Sequence, residues 1–478
     1  MTAPVIGHER TEPVAVHTVV TGEWIITLNA DREIYRDGAI AVTGGVITEV
    51  GKRAAILAKY RPATLIDEPD SIVIPGMVNG HRHLLCCAKG AMPEGGQTLS
   101  ALRQFIYPSF AALTEDDMHA YARHAAAEMI RFGTTLFEEP GCNHLEAVLE
   151  ALAASGIRAR TGPWTWDQAG PAGADGLPDW LRMDADAALD RLAEGVQTVR
   201  KFNHPRILDA VTIEGVGTCS DALNRGAADL AREYDSLFVL HKSTSEAEVE
   251  LELKVFGERP VAHMHTIGAL HDRVLLNHMT SLDEHDVELV LASGARISQN
   301  PTSALKLAKG TTQTGKWKAL AAAGVPMALG TDAENVSNHT DICRAMQLAA
   351  LLPRDATRDP NAVTAEQALE MATLGGATAL RMQDQVGSLE PGKQADIVVF
   401  DTANFDLRPL HNPVANIVYG STGHSVDTAL IGGEVVLRHK QLTSLDEAGL
   451  RSQVEAINRR VLGEIGIAPL PPGPSSDR

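Results

Sequence analysis

The chain has 478 residues, 44% hydrophobic and 22% charged, a composition that fits one very large globular domain or a large domain with a smaller companion. Forty-two Lys and Arg against 61 Asp and Glu leave a net charge of −19, which repels phosphate backbones and speaks against a nucleic-acid partner. No run of about 18 apolar residues offers a membrane span.

Met1 to Glu12 is polar and lacks the basic-then-apolar order of a secretion signal. Cys86, Cys87, Cys142, Cys219 and Cys343 are odd in number and show no pairing pattern, so they read as reduced, buried thiols of a cytoplasmic protein. From about His17 the chain reads as short β-branched strands: Val19–Thr21, Trp24–Leu28, Ala39–Val42 and Val46–Val50, with Asp37-Gly38 and Gly44-Gly45 as turns. Ala395–Phe400 and Thr428–Val436 read alike near the other end, predicting one small β-sandwich assembled from both termini. Between about Ile74 and Arg381, short apolar strands alternate with Ala-rich helices, predicted over Glu115–Phe132, Asp221–Tyr234, Asp283–Ala292 and Ala365–Ala379. The intervening strands are Thr134–Phe137, Ala210–Ile213, Leu237–Leu240, Val274–Asn277, Arg296–Ser298 and Met327–Gly330. Roughly 300 residues of such units fit an α/β fold, a (β/α)₈ TIM-like barrel. A doubly wound open sheet is the alternative, but no Gly-rich phosphate loop announces one. The division is 1–74 and 382–445 for the two parts of the sandwich, 75–381 for the barrel, and 446–478 for a C-terminal helix and a disordered tail from Pro469.

A barrel keeps its chemistry at the carboxyl ends of its strands. His81 and His83 end the apolar run from Ile74, and strand alternation puts both on one face with Arg82 opposite, as a packing or salt-bridge residue. Two imidazoles so placed make half of a metal site. His241 follows Leu237–Leu240, His278 follows Val274–Asn277, and Asp332 follows Met327–Thr331. One such residue is unremarkable; four histidines and an aspartate in these positions point to one centre. The second His-x-His pair, His263 and His265, has no partners in register and reads as surface or lid.

Pro75–His83, with His241, His278 and Leu329–Asp332, resembles the metal-dependent amidohydrolase superfamily. Asp332–Asn338 and Asn300–Leu307 are similar to its aminohydrolase/chlorohydrolase branch (triazine and cytosine deaminase-like), and Gly387–Val398 looks like that branch's return into its β-sandwich. The resemblance covers about residues 17 to 445. It implies one divalent metal per chain, zinc first and Fe, Co or Mn as alternatives, held by His81, His83, His241 and Asp332. Three imidazoles and a carboxylate leave an open position for water. Asp332 would then shuttle the water's proton and His278 would orient the water or polarise the scissile bond. Trp164, Trp166 and Asn300 are the candidate substrate contacts, and the segment Leu84 to Phe110 would lie over the barrel mouth.

The departures are specific. Many deaminases of this branch carry a glutamate three residues past the strand-5 histidine; Thr244 stands here. The strand-4 histidine is missing, and no lysine near Glu214 offers the carboxylated bridge of a two-metal site; Glu214 itself is the candidate for an unusual bridge. An amide, urea or carbamate needs no ring protonation, so hydrolysis at the carbonyl of a small-molecule substrate, a phenylurea or thiocarbamate first, is the favoured expectation. Deamination of a heteroaromatic amine is the alternative, with Glu214 or Glu246 as the replacement acid. A non-catalytic barrel keeping its metal for structure or sensing is the third, and the open coordination position argues against it. A homo-oligomer is expected of so large a barrel.

Overall fold

The long strand Tyr60–Pro75 ties the molecule together. In the computed structural model, which describes residues 13–85, 87–92, 95, 101–167, 183–215 and 217–467, it lies at the middle of an eight-stranded sheet. On one side it runs parallel to Val14–Ile26, which continues antiparallel into Ile34–Thr43 and then Val46–Lys52. On the other side it runs antiparallel to Ile397–Asp401, followed by Val426–Ile431, Glu434–Arg438 and Gln441–Leu442. Both chain ends thus supply one sheet, closed by a core that includes Val20, Ile25, Ile40, Val73, Val399 and Leu430. The two runs read as Val19–Thr21 and Trp24–Leu28 form a single strand, with a register shift between Gly22 and Trp24.

Gly76 alone separates Tyr60–Pro75 from the next strand, Met77–Asn79. A Cβ there would lie 2.6 Å from Thr135 Cγ2, so the chain passes at a distance only glycine allows. Met77–Asn79, Thr134–Glu138, Arg158–Thr161 and Ile207–Asp209 form one parallel sheet; Val211–Gly215, Phe238–Lys242, Val274–His278, Arg296–Gln299 and Met327–Leu329 form a second. Among the described residues these ladders do not close into one ring. Gly80 N donates to Leu329 O at one seam (2.8 Å), and Ala210 N to Thr161 O and Glu214 N to Thr165 O at the other (2.9 and 3.0 Å). The arrangement is α/β, with helices between consecutive parallel strands except at Ala210, which alone separates Ile207–Asp209 from Val211–Gly215.

Helix Glu115–Arg131 starts at a Thr114/Asp117 capping box, and Asp283, expected inside its helix, is the cap of Glu284–Ser293. The helix expected over Ala365–Ala379 is two, Ala365–Met371 and Leu374–Ala379. Thr373 leaves helical backbone at φ −136°, ψ −99°, and its hydroxyl turns back to Leu369 O (2.6 Å). The break seats Gly376 against Val78, where a Cβ would come within 2.7 Å of Val78 Cβ. The C-terminal helix is Glu447–Glu464; the expected disordered tail, the polar start and Cys86 lie outside the described residues, as does part of the segment over the barrel mouth. Cys87, Cys142, Cys219 and Cys343 are buried thiols. Among the described residues no helix is long and apolar enough to cross a membrane.

Candidate active site

Parallel pairing brings the strand ends together in register: His241 lies opposite Asn277, and Lys242 opposite His278. Both histidines belong to the last residues of their strands rather than following them. His81 and His83 leave the end of Met77–Asn79, and Asp332 leaves Met327–Leu329, held close because Asp332 N donates to His81 O (2.9 Å). Gly330 permits this approach, since a Cβ on it would lie 2.8 Å from His81 Cβ. His278 and Asp332 sit at φ +77° and +63°, a region that disfavours side chains other than glycine's. Two strained non-glycine residues facing one another mark a site whose geometry is imposed by its surroundings.

The five side chains converge. Ligand atoms of His81, His83 and His241, and of His81, His278 and Asp332, lie within 4.8 Å of one another. His83 Nε2 and His241 Nε2 face each other at 3.1 Å, and Asp332 lies 3.7 Å from His81 Nε2 and 4.0 Å from His278 Nε2. His241 Nδ1 is 2.7 Å from Glu214 O, a carbonyl that can only accept, so Nδ1 carries the proton and Nε2 presents its lone pair to the cluster. Among the described residues neither ring nitrogen of His81 has a hydrogen-bond partner, nor does His83 Nδ1. Buried polar atoms left so are costly unless something else binds them. Imidazole nitrogens with a carboxylate oxygen are donors suited to zinc and its neighbours, so these residues fit a divalent cation. Glu214 is absent from the converging groups; its Oε2 lies 3.4 Å from His241 Nδ1, on the far side of that ring from the cluster.

Burial pushes the imidazoles toward neutrality, His83 down to about 3, and His81 and His278 well below their ordinary values. Burial alone would raise Asp332, but His278, Lys309 and His83 outweigh it and hold the carboxyl below its usual range. Asp332 is therefore a carboxylate at neutral pH.

His83, His241, His278 and Asp332 floor a small cavity, walled by Leu85, Leu102, Ile106, Trp164 and Val336 and reached by Glu214, Thr244 and Lys309. Trp164 stands 5.5 Å from His83. Trp166 does not line the cavity; it packs edge-on behind Trp164 at 5.1 Å and beside Tyr107. Nor does Asn300, which is buried with Nδ2 3.2 Å from His278 Nδ1 and so supports that ring from behind. Phe105 and Phe110 of the segment over the mouth are core packing, whereas Tyr107 reaches Glu214 Oε1 at 3.4 Å. Arg82 faces away into a buried ion pair with Glu334 (2.5 Å).

Two residues escaped the sequence reading. Lys309 is buried, lines the cavity and places Nζ 3.4 Å from His278 Nδ1. An ammonium only donates, so Nδ1 accepts and the neutral ring of His278 carries its proton on Nε2, toward Asp332. Its only sequence signal is a lysine ending an apolar run after Asn300. Glu248, placed by sequence in the following helix, is indeed there, but its carboxylate turns back to Thr244. Glu246, offered as the replacement acid, is exposed and lines nothing here.

Residues 72–436 match the model of the amidohydrolase family. The chain is similar to a 5-methylthioadenosine/S-adenosylhomocysteine deaminase of Nitratidesulfovibrio vulgaris (strain DSM 19637 / Miyazaki F), 33% identical over 92% of this chain and 97% of that protein. It is similar to a solved adenosine deaminase from Xanthomonas campestris with bound zinc, 28% identical with a TM-score of 0.87, over 94% and 100% of the two chains. It also shares the fold of an atrazine chlorohydrolase from Arthrobacter aurescens complexed with zinc, 21% identical with a TM-score of 0.80, over 92% and 99%. The two deaminases do not support the phenylurea-type substrate; they support the alternative, hydrolytic deamination. The phenylurea expectation rested on Thr244 standing where many deaminases of the branch carry a glutamate. Strand ends that gather four imidazoles and a carboxylate, on a chain matched over most of its length, place this protein in the metal-dependent amidohydrolase family, as an enzyme acting on carbon–nitrogen bonds.

Proposed function

We propose that this chain is a metal-dependent hydrolytic deaminase of a 6-aminopurine nucleoside, working at the mouth of a closed (β/α)₈ barrel. The observation that carries the reading is the convergence of His81, His83, His241, His278 and Asp332, the last four on the floor of one apolar-walled cavity, in a chain whose relatives are named for deamination of such nucleosides. His81, His83, His241 and Asp332 would hold one divalent cation, zinc first. When bound, such a cation acts as a Lewis acid and lowers the pKa of a water it holds from about 16 toward 7.

The remaining work belongs to the chain. Asp332, kept ionised by its neighbours, accepts the attacking water's proton and returns it to the departing amine. His278, with its proton on Nε2 because Lys309 and Asn300 face Nδ1, donates a hydrogen bond to the attacking oxygen. Trp164 offers a flat apolar wall for the purine, with Leu102 and Ile106 excluding water. The test is ammonia release from 5′-methylthioadenosine, S-adenosylhomocysteine and adenosine, with a phenylurea in parallel and metal content per chain by elemental analysis. Turnover of at least one nucleoside with about one metal per chain is expected; turnover of the urea alone would reverse the reading.

A further inference from the structure

Water adding to the amino-bearing carbon of a purine drives an electron pair onto the adjacent ring nitrogen, which needs a proton as the pair arrives. Thr244, three residues past His241, is no acid, yet it lines the cavity. Its Oγ1 lies 2.7 Å from Glu248 Oε2, to which its backbone N–H also donates at 2.6 Å. Glu248 is fully buried in the first turn of helix Glu246–Phe256, and it is not itself a lining residue. The Thr244 hydroxyl is what joins its carboxyl to the cavity. Its second oxygen, Oε1, has no hydrogen-bond partner among the described residues.

A helix cap alone does not account for this. Ser245 already caps the helix by accepting from Glu248 N (3.4 Å), and a cap carboxylate gains nothing from losing water. Lys242, the nearby cation, is committed to Glu252 at 2.5 Å. The charged groups around Glu248 are Glu252 and Lys242 on its own side and Lys309 across the cavity. Burial first, then Glu252, pushes Glu248 upward against the pull of Lys242 and Thr244, toward holding a proton near neutral pH.

We propose that Thr244 and Glu248 form a two-member proton relay: the Thr244 hydroxyl gives its proton to the purine ring nitrogen while accepting the proton of Glu248. Thr244 touches the substrate; Glu248 acts through it. Glu248 is left as carboxylate, the ring nitrogen keeps the proton in the lactam product, and the added hydroxyl sheds one proton as its C=O forms. One proton from solvent restores Glu248, so the cycle closes with ammonia as the other product. Glu214 also faces the cavity, but its backbone carbonyl and one carboxylate oxygen both lie against His241 Nδ1, which ties it to orienting that ring. The relay rests on the deaminase reading.

Ammonia release from adenosine and 5′-methylthioadenosine would be followed across the neutral pH range for wild type, Thr244→Val, Thr244→Ser and Glu248→Gln, each checked for metal content and thermal unfolding. Thr244→Val and Glu248→Gln are expected to lose roughly 10²–10⁴-fold in kcat with KM little changed, and to lose the fall in rate that wild type shows at rising pH as Glu248 ionises. Thr244→Ser restores both. If Glu248→Gln does not fold, the Thr244 pair carries the test, because a valine that packs but cannot pass a proton differs from serine only if the hydroxyl matters. Wild type deaminating while Glu248→Gln keeps its rate and pH profile overturns the relay alone. Wild type releasing no ammonia from any 6-aminopurine nucleoside overturns the deaminase reading and the relay together.

Discussion

In the eight-stranded sheet, alternate strand positions carry Val20, Ile40, Val73, Val399 and Leu430, all fully buried against one another. At the carboxyl ends of the parallel strands, buried positions carry His81, His241, His278, Glu138 and Glu214. Strand geometry is the same in both places, and the energetics are opposite. The sheet buries only groups that gain from leaving water. The strand ends bury imidazoles and carboxylates, several of whose atoms lack partners among the described residues, and hold His278 and Asp332 at positive φ. Such a region lowers stability and is retained because the rest of the molecule supports it. The lesson is a division of labour: the sheet and helices stabilise, and the strand ends react.

That division can be broken from either side. The largest effect expected is on chemistry: Asp332→Ala should lose about 10²–10⁴-fold in kcat along with bound metal. After chelation, wild type and variant should unfold at nearly the same temperature; a large gap between them would mean that Asp332 is structural. Next comes Arg82, whose side chain faces away from the cluster. Arg82→Leu leaves the buried Glu334 with only Lys89 at 4.0 Å and should cost about 3–5 kcal/mol of unfolding free energy in denaturant titration. Ile40→Ala, in the sheet core, should cost about 2–5 kcal/mol with kcat per folded molecule unchanged. A sheet mutation that altered kcat in fully folded protein would deny the separation.

Much of this was legible in the sequence, for definite reasons. Period-two runs of β-branched residues mark strands, and a polar residue ending such a run is conspicuous, which is why His81, His83, His241, His278 and Asp332 stood out. Glu248 did not, because a glutamate three residues past Ser245 has the spacing of a capping residue, and only the fold shows its carboxyl turned back to Thr244 and sealed from water. Asn300 carried the right motif, but whether it faces the cavity or the back of His278 depends on the helix it begins. The split at Thr373 was hidden likewise: Gly375 and Gly376 are tolerable within a helix, and their close packing on the strands is a tertiary fact. Sequence spacing reports direction along an element and is silent on what lies behind it.

The smallest effect expected is at Lys309, where the two demands meet in one side chain. Its buried ammonium meets only His278 Nδ1 within hydrogen-bonding distance among the described residues. Lys309→Met keeps the length and removes the charge. Because Asn300 still faces Nδ1 at 3.2 Å, the ring keeps one donor, so kcat should fall only about tenfold, equivalent to about 1.4 kcal/mol. Nitrogen NMR of the His278 ring checks the cause directly, since wild type should show the proton on Nε2 and a bare Nδ1. Stability should move the other way. Burial lowers the Lys309 pKa below its ordinary 10.5, against the opposing pull of Asp332, Glu248 and Glu214. Between that lowered value and 10.5 the unfolded chain binds more protons than the folded one, so wild type gains stability as pH rises through this window. The methionine variant should lack that rise and hold its advantage on the acidic side. An equal pH slope in both proteins would mean that the ammonium is well compensated in the folded state, and that Lys309 belongs with the stabilising part of the molecule rather than the reacting one.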